Sequence, residues 1–204
     1  MTGVASVTLE VSDVAAAEAF YADAFDLGDT VGVRASEAPT SGFRGFTMSL
    51  VVSQPSTVDS LVGAALEAGA TVLKPVEKSF WGYGGVVQAP DGTIWKVASS
   101  SKKDTGPAIR EADEVVLLLG VDDVKATKRY YTDHSLAVGK SFGSKYVEFD
   151  DNGSAVKLAL YSRRAAAKDA GVSPEGSGSH RIVIGSDTDA FTDPDGFVWE
   201  PAFS

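Results

Sequence analysis

Cysteine is absent from the 204-residue sequence, and histidine occurs only twice, at His134 and His180. The lack of cysteine excludes disulfide bonds, catalytic thiolates and zinc sites with thiolate ligands. Long apolar runs are also missing, because no segment approaches the roughly 20 consecutive apolar residues that a membrane helix needs. The N-terminal residues show no basic region followed by an apolar run, the pattern of a secretory signal. We therefore expect a cytoplasmic protein that does not interact with membranes.

Positive charge is scarce as well. The chain has 18 lysine and arginine residues against 28 aspartate and glutamate residues, which gives a net charge of −10. This excess of negative charge argues against nucleic acid as a partner, since binding requires basic side chains that neutralise phosphates. The sequence also contains no P-loop, no dinucleotide-binding fingerprint and no G-x-S-x-G motif. We expect neither a nucleotide-binding enzyme nor a serine hydrolase.

A duplicated motif is the most informative feature that is present. Pro-Asp-Gly-x-x-Trp occurs at Pro90–Trp95 and again at Pro194–Trp199, which is 104 positions later (194 minus 90). Repetition at this distance in a chain of this length indicates a tandem duplication. The two copies differ in the residue that follows the tryptophan, which is Lys96 in the first copy and Glu200 in the second.

The duplication divides the chain into two halves. We predict a first half over residues 1–100, a polar linker over 101–112 and a second half over 113–204. Alternating polar and apolar residues predict strands in each half, and apolar residues at helical spacing predict helices. Each half therefore consists of two modules of the strand–helix–strand type. An Ala-rich segment at 164–170 predicts a further short helix that ends at Gly171.

The spacing of equivalent residues indicates that the modules differ in length. Phe20 and Gly42 mark the first two modules and are 22 positions apart, whereas Tyr130 and Gly178 in the second half are 48 positions apart. From the second marker to the tryptophan of the motif the distance is 53 positions in the first half and 21 in the second. We expect abbreviated first and fourth modules, the fourth without its helix and one strand. The halves would then pack on each other, or the chain would form a homodimer, to cover exposed strand edges.

Together these motifs resemble the vicinal oxygen chelate superfamily, which includes glyoxalase I, bleomycin-resistance proteins and extradiol dioxygenases. Three segments carry the resemblance: Val-Ser-Asp-x-x-x-Ala-x-x-Phe-Tyr at 11–21, Phe-Trp-Gly-Tyr at 80–83 and the two Pro-Asp-Gly-x-x-Trp hairpins. The resemblance covers nearly the whole chain and implies an α+β fold. Tandem βαβββ-type modules would form curved mixed sheets, the glyoxalase/bleomycin-resistance/dioxygenase fold.

The resemblance also implies where a metal would bind. Enzymes of the superfamily hold a divalent metal through the first strand of a module, usually with histidine, and the last strand, usually with glutamate. The corresponding positions here are Ser6, Gly45, Val116 and His180 on first strands and Lys96 and Glu200 on last strands. Only His180 and Glu200 can ligate a metal, and a catalytic metal needs about three protein ligands. We therefore expect no cofactor; the alternative is a divalent metal ion at His180 and Glu200, completed by Glu114 or Glu10.

A second candidate for catalysis is the pair Glu10 and Lys96. If Ser6, Thr8 and Glu10 share the face of a strand that lines the cup, Glu10 could meet Lys96 there. A buried carboxylate beside an ammonium group can act as a general base. The simpler interpretation is a salt bridge on a polar wall of the cup. Glu148 is a weaker candidate of the same kind.

Aromatic residues beside glycines suggest a ligand. Trp81 and Tyr83 alternate with glycines that let a loop approach a pocket closely, and flat aromatic surfaces stack on planar ligands. Trp95 and Trp199, in contrast, are expected to face the helices as core residues. The candidate ligand-binding residues are Ser6, Thr8, Glu10, Trp81, Tyr83, Lys96, His180 and Glu200.

Three hypotheses about function follow. The first is a metal-independent protein of the glyoxalase/bleomycin-resistance type that binds a small apolar or aromatic molecule in a cup formed by paired modules. The second is a divalent-metal-dependent lyase, isomerase or dioxygenase that uses His180 and Glu200. The third is a degenerate member that acts through protein association, for which a large exposed apolar patch would speak.

Overall fold

The computed structural model describes residues 3–151 and 153–202. Within these ranges the chain forms four α-helices and fifteen β-strands. None of the helices in this part of the chain is long and apolar enough to cross a membrane. The architecture is mixed α+β, as the motifs predicted.

The first module is short. It consists of β1 (Val4–Val11), α1 (Val14–Ala24) and β2 (Val31–Ala35), and β2 pairs with β1 in parallel. The side chain of Asp13 accepts a hydrogen bond from the backbone of Ala16 at 3.0 Å and so starts the helix.

The second module is complete. Its elements are β4 (Phe46–Val51), α2 (Pro55–Glu67), β5 (Thr71–Ser79), β6 (Gly82–Gln88) and β7 (Ile94–Ser99). The strands lie in the order β4–β7–β6–β5. A short strand, β3 (Thr40–Gly42), precedes the module and pairs outside the main sheet with a strand near the end of the chain.

The third module repeats this order after a connection without helix or strand. The buried side chain of Gln54 holds that connection through hydrogen bonds with Thr105, Gly106 and Pro107. The elements are β8 (Glu114–Val121), α3 (Val124–Asp133), β9 (Val138–Ser141), β10 (Tyr146–Phe149) and β11 (Val156–Ser162). The strands of the module lie in the order β8–β11–β10–β9.

The fourth module lacks a helix between the strands β13 (Ile182–Ser186) and β14 (Phe191–Thr192). Only four residues, 187–190, connect these strands, so the abbreviation predicted from the spacing is confirmed. The predicted Ala-rich helix precedes these strands and ends at Gly171, which adopts a left-handed conformation (φ 80°). The elements are α4 (Arg163–Ala170), β12 (Gly176–Gly178), β13 (Ile182–Ser186), β14 (Phe191–Thr192) and β15 (Val198–Pro201).

Modules pair across the two halves of the chain. Strand β4 of the second module pairs antiparallel with β8 of the third, with Ser49 opposite Val116, and these two modules form an eight-stranded curved part of the sheet. Strand β1 of the first module pairs antiparallel with β13 of the fourth, with Thr8 opposite Val183, and these two modules form a five-stranded part. The two parts join into one 13-stranded sheet, because β1 also pairs with β11, with Val4 opposite Val156. The predicted packing of the halves on each other is seen in these strand pairs. The division at residues 101–112 stays a prediction.

The eight-stranded part of the sheet carries an apolar cluster on each face. One face packs on the helices α1, α2 and α3 through large side chains such as Met48, Trp95 and Leu117. The opposite face, which we call the cup face, carries a separate apolar cluster, because alternate residues of a strand point to opposite sides. Its buried members are Phe43, Val86, Ile94, Leu118 and Ala159, together with Ala166, Ala167 and Ala170 of α4. The short helix α4 therefore lies against the cup face.

The duplicated motif has the same structural role in both halves. In the first half, the hydroxyl of Tyr21 on α1 donates to Oδ2 of Asp91 at 2.7 Å, and Nε1 of Trp95 donates to that hydroxyl at 3.4 Å. Both tryptophans of the motif are fully buried, as predicted.

In the second half, Tyr131 on α3 donates to Oδ2 of Asp193 at 2.5 Å and accepts from Nε1 of Trp199 at 3.3 Å. Burial, followed by the charge of Asp193, raises the pKa of Tyr131 well above its usual value. Each helix tyrosine thus joins a hairpin to the core.

Candidate binding site

The structure distributes the predicted site residues over three places. One group lies on the five-stranded part of the sheet, a second group borders a cleft beside α4, and His180 lies apart from both. The first group is Ser6, Thr8, Glu10 and Glu200, and the second is Trp81, Tyr83 and Lys96.

Arg34 organises the first group. Its Nη2 lies 2.8 Å from Oε1 of Glu10, and its Nη1 lies 3.0 Å from Oε2 of Glu200. The register explains the first contact, because Glu10 on β1 is directly opposite Arg34 on the parallel strand β2. Burial lowers the pKa of Arg34, but the hydrogen bonds with the carboxylates of Glu10 and Glu200 raise it by more, so that the net shift of the pKa is upward. No motif in the sequence marks Arg34.

Ser6 and Thr8 continue the same face of β1. Ser6 is opposite Gly185 of β13, and a Cβ at position 185 would lie 2.3 Å from the Ser6 hydroxyl oxygen. The two strands are therefore closely packed at this point. The result is a polar face with an ion-paired centre.

The predicted pair of Glu10 and Lys96 is wrong. Glu10 is paired with Arg34, and the ammonium group of Lys96 lies 2.8 Å from Oδ2 of Asp169 on α4. The reason is the order of the strands: β11, β8 and β4 lie between β1, which carries Glu10, and β7, which carries Lys96. Glu148 does not serve as a free base either, because it accepts from the hydroxyl of Tyr146 at 2.9 Å and pairs with Lys140.

His180 is engaged by the backbone on both sides of its ring. Nδ1 lies 2.5 Å from the carbonyl oxygen of Arg44, and Nε2 lies 3.0 Å from the carbonyl oxygen of Asp195. The ring stacks on Phe197 with a centroid distance of 4.0 Å. His134 has a structural role too, since its Nδ1 contacts the carbonyl oxygen of Tyr130 at 2.8 Å near the end of α3.

The positions that correspond to a metal site do not form a set of ligands. Both nitrogens of His180 are occupied by carbonyl groups, and the carboxylate of Glu200 is bound by Arg34. Glu114, one possible third ligand, pairs with Lys157. In the ranges that the structure describes, no three His, Asp or Glu side chains come together in a way that could hold a metal ion. The residues present therefore do not fit a catalytic divalent cation.

The second group borders a cleft between α4 and the wall formed by β5, β6 and β7. We call it the tryptophan cleft; its volume is about 300 Å³. Val86 and Ala98 form apolar parts of its lining, and Lys96 and Asp169 meet at its side. Trp81 stands at the turn between β5 and β6, and 83% of its surface is exposed.

Tyr83 borders the tryptophan cleft, but its hydroxyl points away from it. The hydroxyl donates to Oδ1 of Asp59 on α2 at 2.8 Å. This hydrogen bond, followed by burial, raises the pKa of Tyr83. Trp81 and Lys96 were both among the predicted ligand-binding residues, whereas Asp169 was not, because no motif marks it.

Solved structures with the same architecture identify the fold. Glyoxalase I from Zea mays superimposes with a TM-score of 0.62 and 13% sequence identity, over 98% of this chain and 91% of the maize chain. A protein from Bacillus subtilis, described as a proposed dioxygenase, superimposes with a TM-score of 0.59 and 11% identity, over 97% of this chain and 83% of the other. No protein-family model and no curated protein matches the sequence.

The fold predicted from the motifs is thereby confirmed. The chain has the glyoxalase/bleomycin-resistance/dioxygenase fold, which is the fold of the vicinal oxygen chelate superfamily. A common fold does not by itself define a common reaction, and the site has to be interpreted from its own residues.

Proposed function

We propose that this protein binds a small planar, mainly apolar molecule in the tryptophan cleft and does so without a metal ion. The observation that carries the proposal is the position of Trp81. This large aromatic side chain is 83% exposed at the lip of a cleft of about 300 Å³. Exposure of so much apolar surface is unfavourable in water, and a stacked ligand would cover it.

The lining of the cleft supports a ligand of this kind. Small-molecule sites are commonly apolar pockets of about 300 Å³ or more with a few polar groups that orient the ligand. Here Val86 and Ala98 provide apolar surface, and the ion pair of Lys96 and Asp169 provides the polar contacts. Gly84, also in the lining, allows β6 to lie close to β7, because a Cβ at this position would lie 2.6 Å from the carbonyl oxygen of Val97.

The lack of metal dependence is supported by the chemistry of the positions discussed above. Ser6, Gly45, Val116 and Lys96 offer no strong ligand, and both His180 and Glu200 have other partners. The test is the metal content of untagged protein after dialysis against zinc, manganese, nickel and iron(II), measured by mass spectrometry. Retention near one equivalent that is lost in His180→Ala and Glu200→Ala would overturn this part of the proposal.

Fluorescence of Trp81 tests the binding site directly. The other two tryptophans, Trp95 and Trp199, are fully buried, so a ligand in the cleft should quench mainly the emission of Trp81. Titration with indole, quinoline and 1-naphthol should give saturable quenching for at least one of these probes. The same probe should lose the quenching signal in Trp81→Phe.

Calorimetry on variants completes the test. Trp81→Ala should weaken binding by about fivefold or more, which corresponds to the ~1 kcal/mol of an aromatic contact. Phe142→Leu is the control, because Phe142 is also an exposed aromatic residue and does not line the cleft. Phe80 is unsuitable, because its ring lies 5.0 Å from that of Trp81. The proposal fails if none of the probes binds, or if Trp81→Ala and Phe142→Leu have equal effects.

A further inference from the structure

A second cleft lies on the other side of α4, between this helix and β11. We call it the lysine cleft; its volume is about 460 Å³. It is separate from the tryptophan cleft, although Lys74 and Asp169 border both. Among the residues described in the candidate binding site, only Asp169 also lines the lysine cleft.

The charge of the lysine cleft is opposite to that of the protein. The chain has a net charge of −10, yet the charged side chains in this lining are Lys74, Lys145, Lys168 and Asp169. Asp169 is already paired with Lys96. A local excess of positive charge therefore remains in the cleft.

Two of these lysines are free to bind an anion. Lys74 donates to the carbonyl oxygens of Lys168 and Asp169, at 2.9 and 2.6 Å, and so supports the end of α4. The ammonium groups of Lys145 and Lys168 have no carboxylate partner within the described ranges, and both side chains are exposed. Ser144, also in the lining, adds a hydroxyl that can donate a hydrogen bond.

One wall of the lysine cleft is aromatic. Tyr161 on β11 lines the cleft, and Tyr146 meets it edge to face with a centroid distance of 5.1 Å. Phe142 lies beyond Tyr146 at 6.1 Å and is 65% exposed. The three rings form a continuous row that ends in the exposed ring of Phe142.

We propose that the lysine cleft binds a planar aromatic molecule that carries one anionic group, such as a carboxylate. The ring would contact Tyr161, and the anionic group would lie between Lys145 and Lys168. Such a combination of an aromatic surface and paired ammonium groups recognises shape and charge together. This site can be distinguished from the tryptophan cleft, because Lys145, Lys168 and Tyr161 line only the lysine cleft and Trp81 lines only the tryptophan cleft.

A pair of probes separates charge from shape. 2-Naphthoate and 2-naphthamide have nearly the same shape, but only the first is an anion. Isothermal titration should show that 2-naphthoate binds about tenfold more tightly, and that this preference decreases at high salt. Equal affinity for the two probes, or no binding of 2-naphthoate at all, would overturn the proposal.

Variants then locate the site. Lys145→Met/Lys168→Met should weaken binding of 2-naphthoate by about tenfold and abolish its advantage over the amide. Lys103→Met/Lys125→Met is the matched control, since it removes the same charge from exposed lysines outside the cleft. Thermal unfolding of both double variants verifies that the fold is intact. If the two double variants bind the probe equally, the lysine cleft is not the site.

The two clefts can be distinguished in the same experiment. Trp81→Ala should leave the affinity for 2-naphthoate unchanged, because Trp81 lines only the tryptophan cleft. Loss of 2-naphthoate binding in Trp81→Ala but not in Lys145→Met/Lys168→Met would place the anion in the tryptophan cleft and contradict this inference. Binding of the neutral probes indole, quinoline and 1-naphthol tests the tryptophan cleft alone, and its result does not decide whether the lysine cleft binds 2-naphthoate.

Discussion

Gly120 on β8 lies directly against Ala166 on α4. A Cβ atom at position 120 would approach the Cβ of Ala166 to 3.0 Å and the carbonyl oxygen of Gly45 to 3.1 Å. Both distances are shorter than ordinary van der Waals contacts. The absence of a side chain at this one position allows the helix to lie close to the cup face.

We predict that Gly120→Ala destabilises the protein. The additional methyl group has to displace α4, and such overpacking costs about 1–3 kcal/mol of unfolding free energy. Gly32→Ala is the control, because a Cβ at position 32 on the exposed strand β2 would have no neighbour within 4 Å. Urea denaturation of both variants measures the difference; equal stabilities would show that α4 is not tightly packed.

Arg34→Met should reduce stability by about 1 kcal/mol. Exposed ion pairs contribute little, but here one guanidinium binds two carboxylates, and its loss leaves Glu10 and Glu200 as unpaired neighbours. The effect should decrease in 1 M salt, where such charges are screened within about 3 Å. Arg129→Met, on the exposed surface of α3, serves as the control. A further Glu200→Gln substitution should restore part of the lost stability, as chemical denaturation can determine.

Tyr131→Phe should cost about 1–3 kcal/mol, because the carboxylate of Asp193 and the indole N–H of Trp199 both lose a partner in the core. Tyr130→Phe removes a hydroxyl from the neighbouring residue, where the hydrogen bond to Thr192 is exposed and 3.3 Å long. This control should change stability by about 0.5 kcal/mol or less. If the two variants melt at the same temperature, the buried hydrogen bond contributes no measurable stability.

The raised pKa values of Tyr21 and Tyr131 predict a loss of stability at alkaline pH. Burial is the main cause in both residues, and a neighbouring aspartate adds to it. Above pH 10, the ordinary tyrosine value, the unfolded chain releases these protons while the folded chain retains them. The free energy of unfolding contributed by these groups is therefore complete below pH 10 and falls as the pH rises further.

The measurement is urea denaturation between pH 8 and pH 11. Wild type should lose stability more steeply with pH than Tyr131→Phe, since the variant lacks one of the two buried hydroxyls. Lysine residues titrate in the same range in both proteins, so the difference between the slopes isolates the tyrosine. Parallel slopes would contradict the predicted shift.

Much of the fold could be predicted because its signals are local. The repeated Pro-Asp-Gly-x-x-Trp motif marks a hairpin whose tryptophan packs inward, and the spacing between markers showed which modules are short. The helix that ends at Gly171 was predicted from its alanines and the following glycine. The hairpin and the helix end depend on residues close together in the chain, and the module lengths follow from counting positions along it.

The candidate site was predicted less completely. Trp81 and Lys96 do border the same cleft, but Asp169 lies 73 positions after Lys96 (169 minus 96) and carries no motif. Arg34 was missed for a related reason: its contact with Glu10 depends on the register of two parallel strands that are separated by α1. The pair of Glu10 and Lys96 was wrong because it assumed that both side chains share one cup.

The sequence by itself determined the type of module, the number of modules, the abbreviation of the first and fourth, and the core position of Trp95 and Trp199. Only the tertiary structure decided that the modules pair across the halves and that α4 lies on the cup face, with a cleft on each side. Strand edges pair with whichever partner buries the most apolar surface, and many partners have the same alternating pattern. An alanine-rich helix likewise fits any closely packed face, so its position depends on contacts such as that between Gly120 and Ala166.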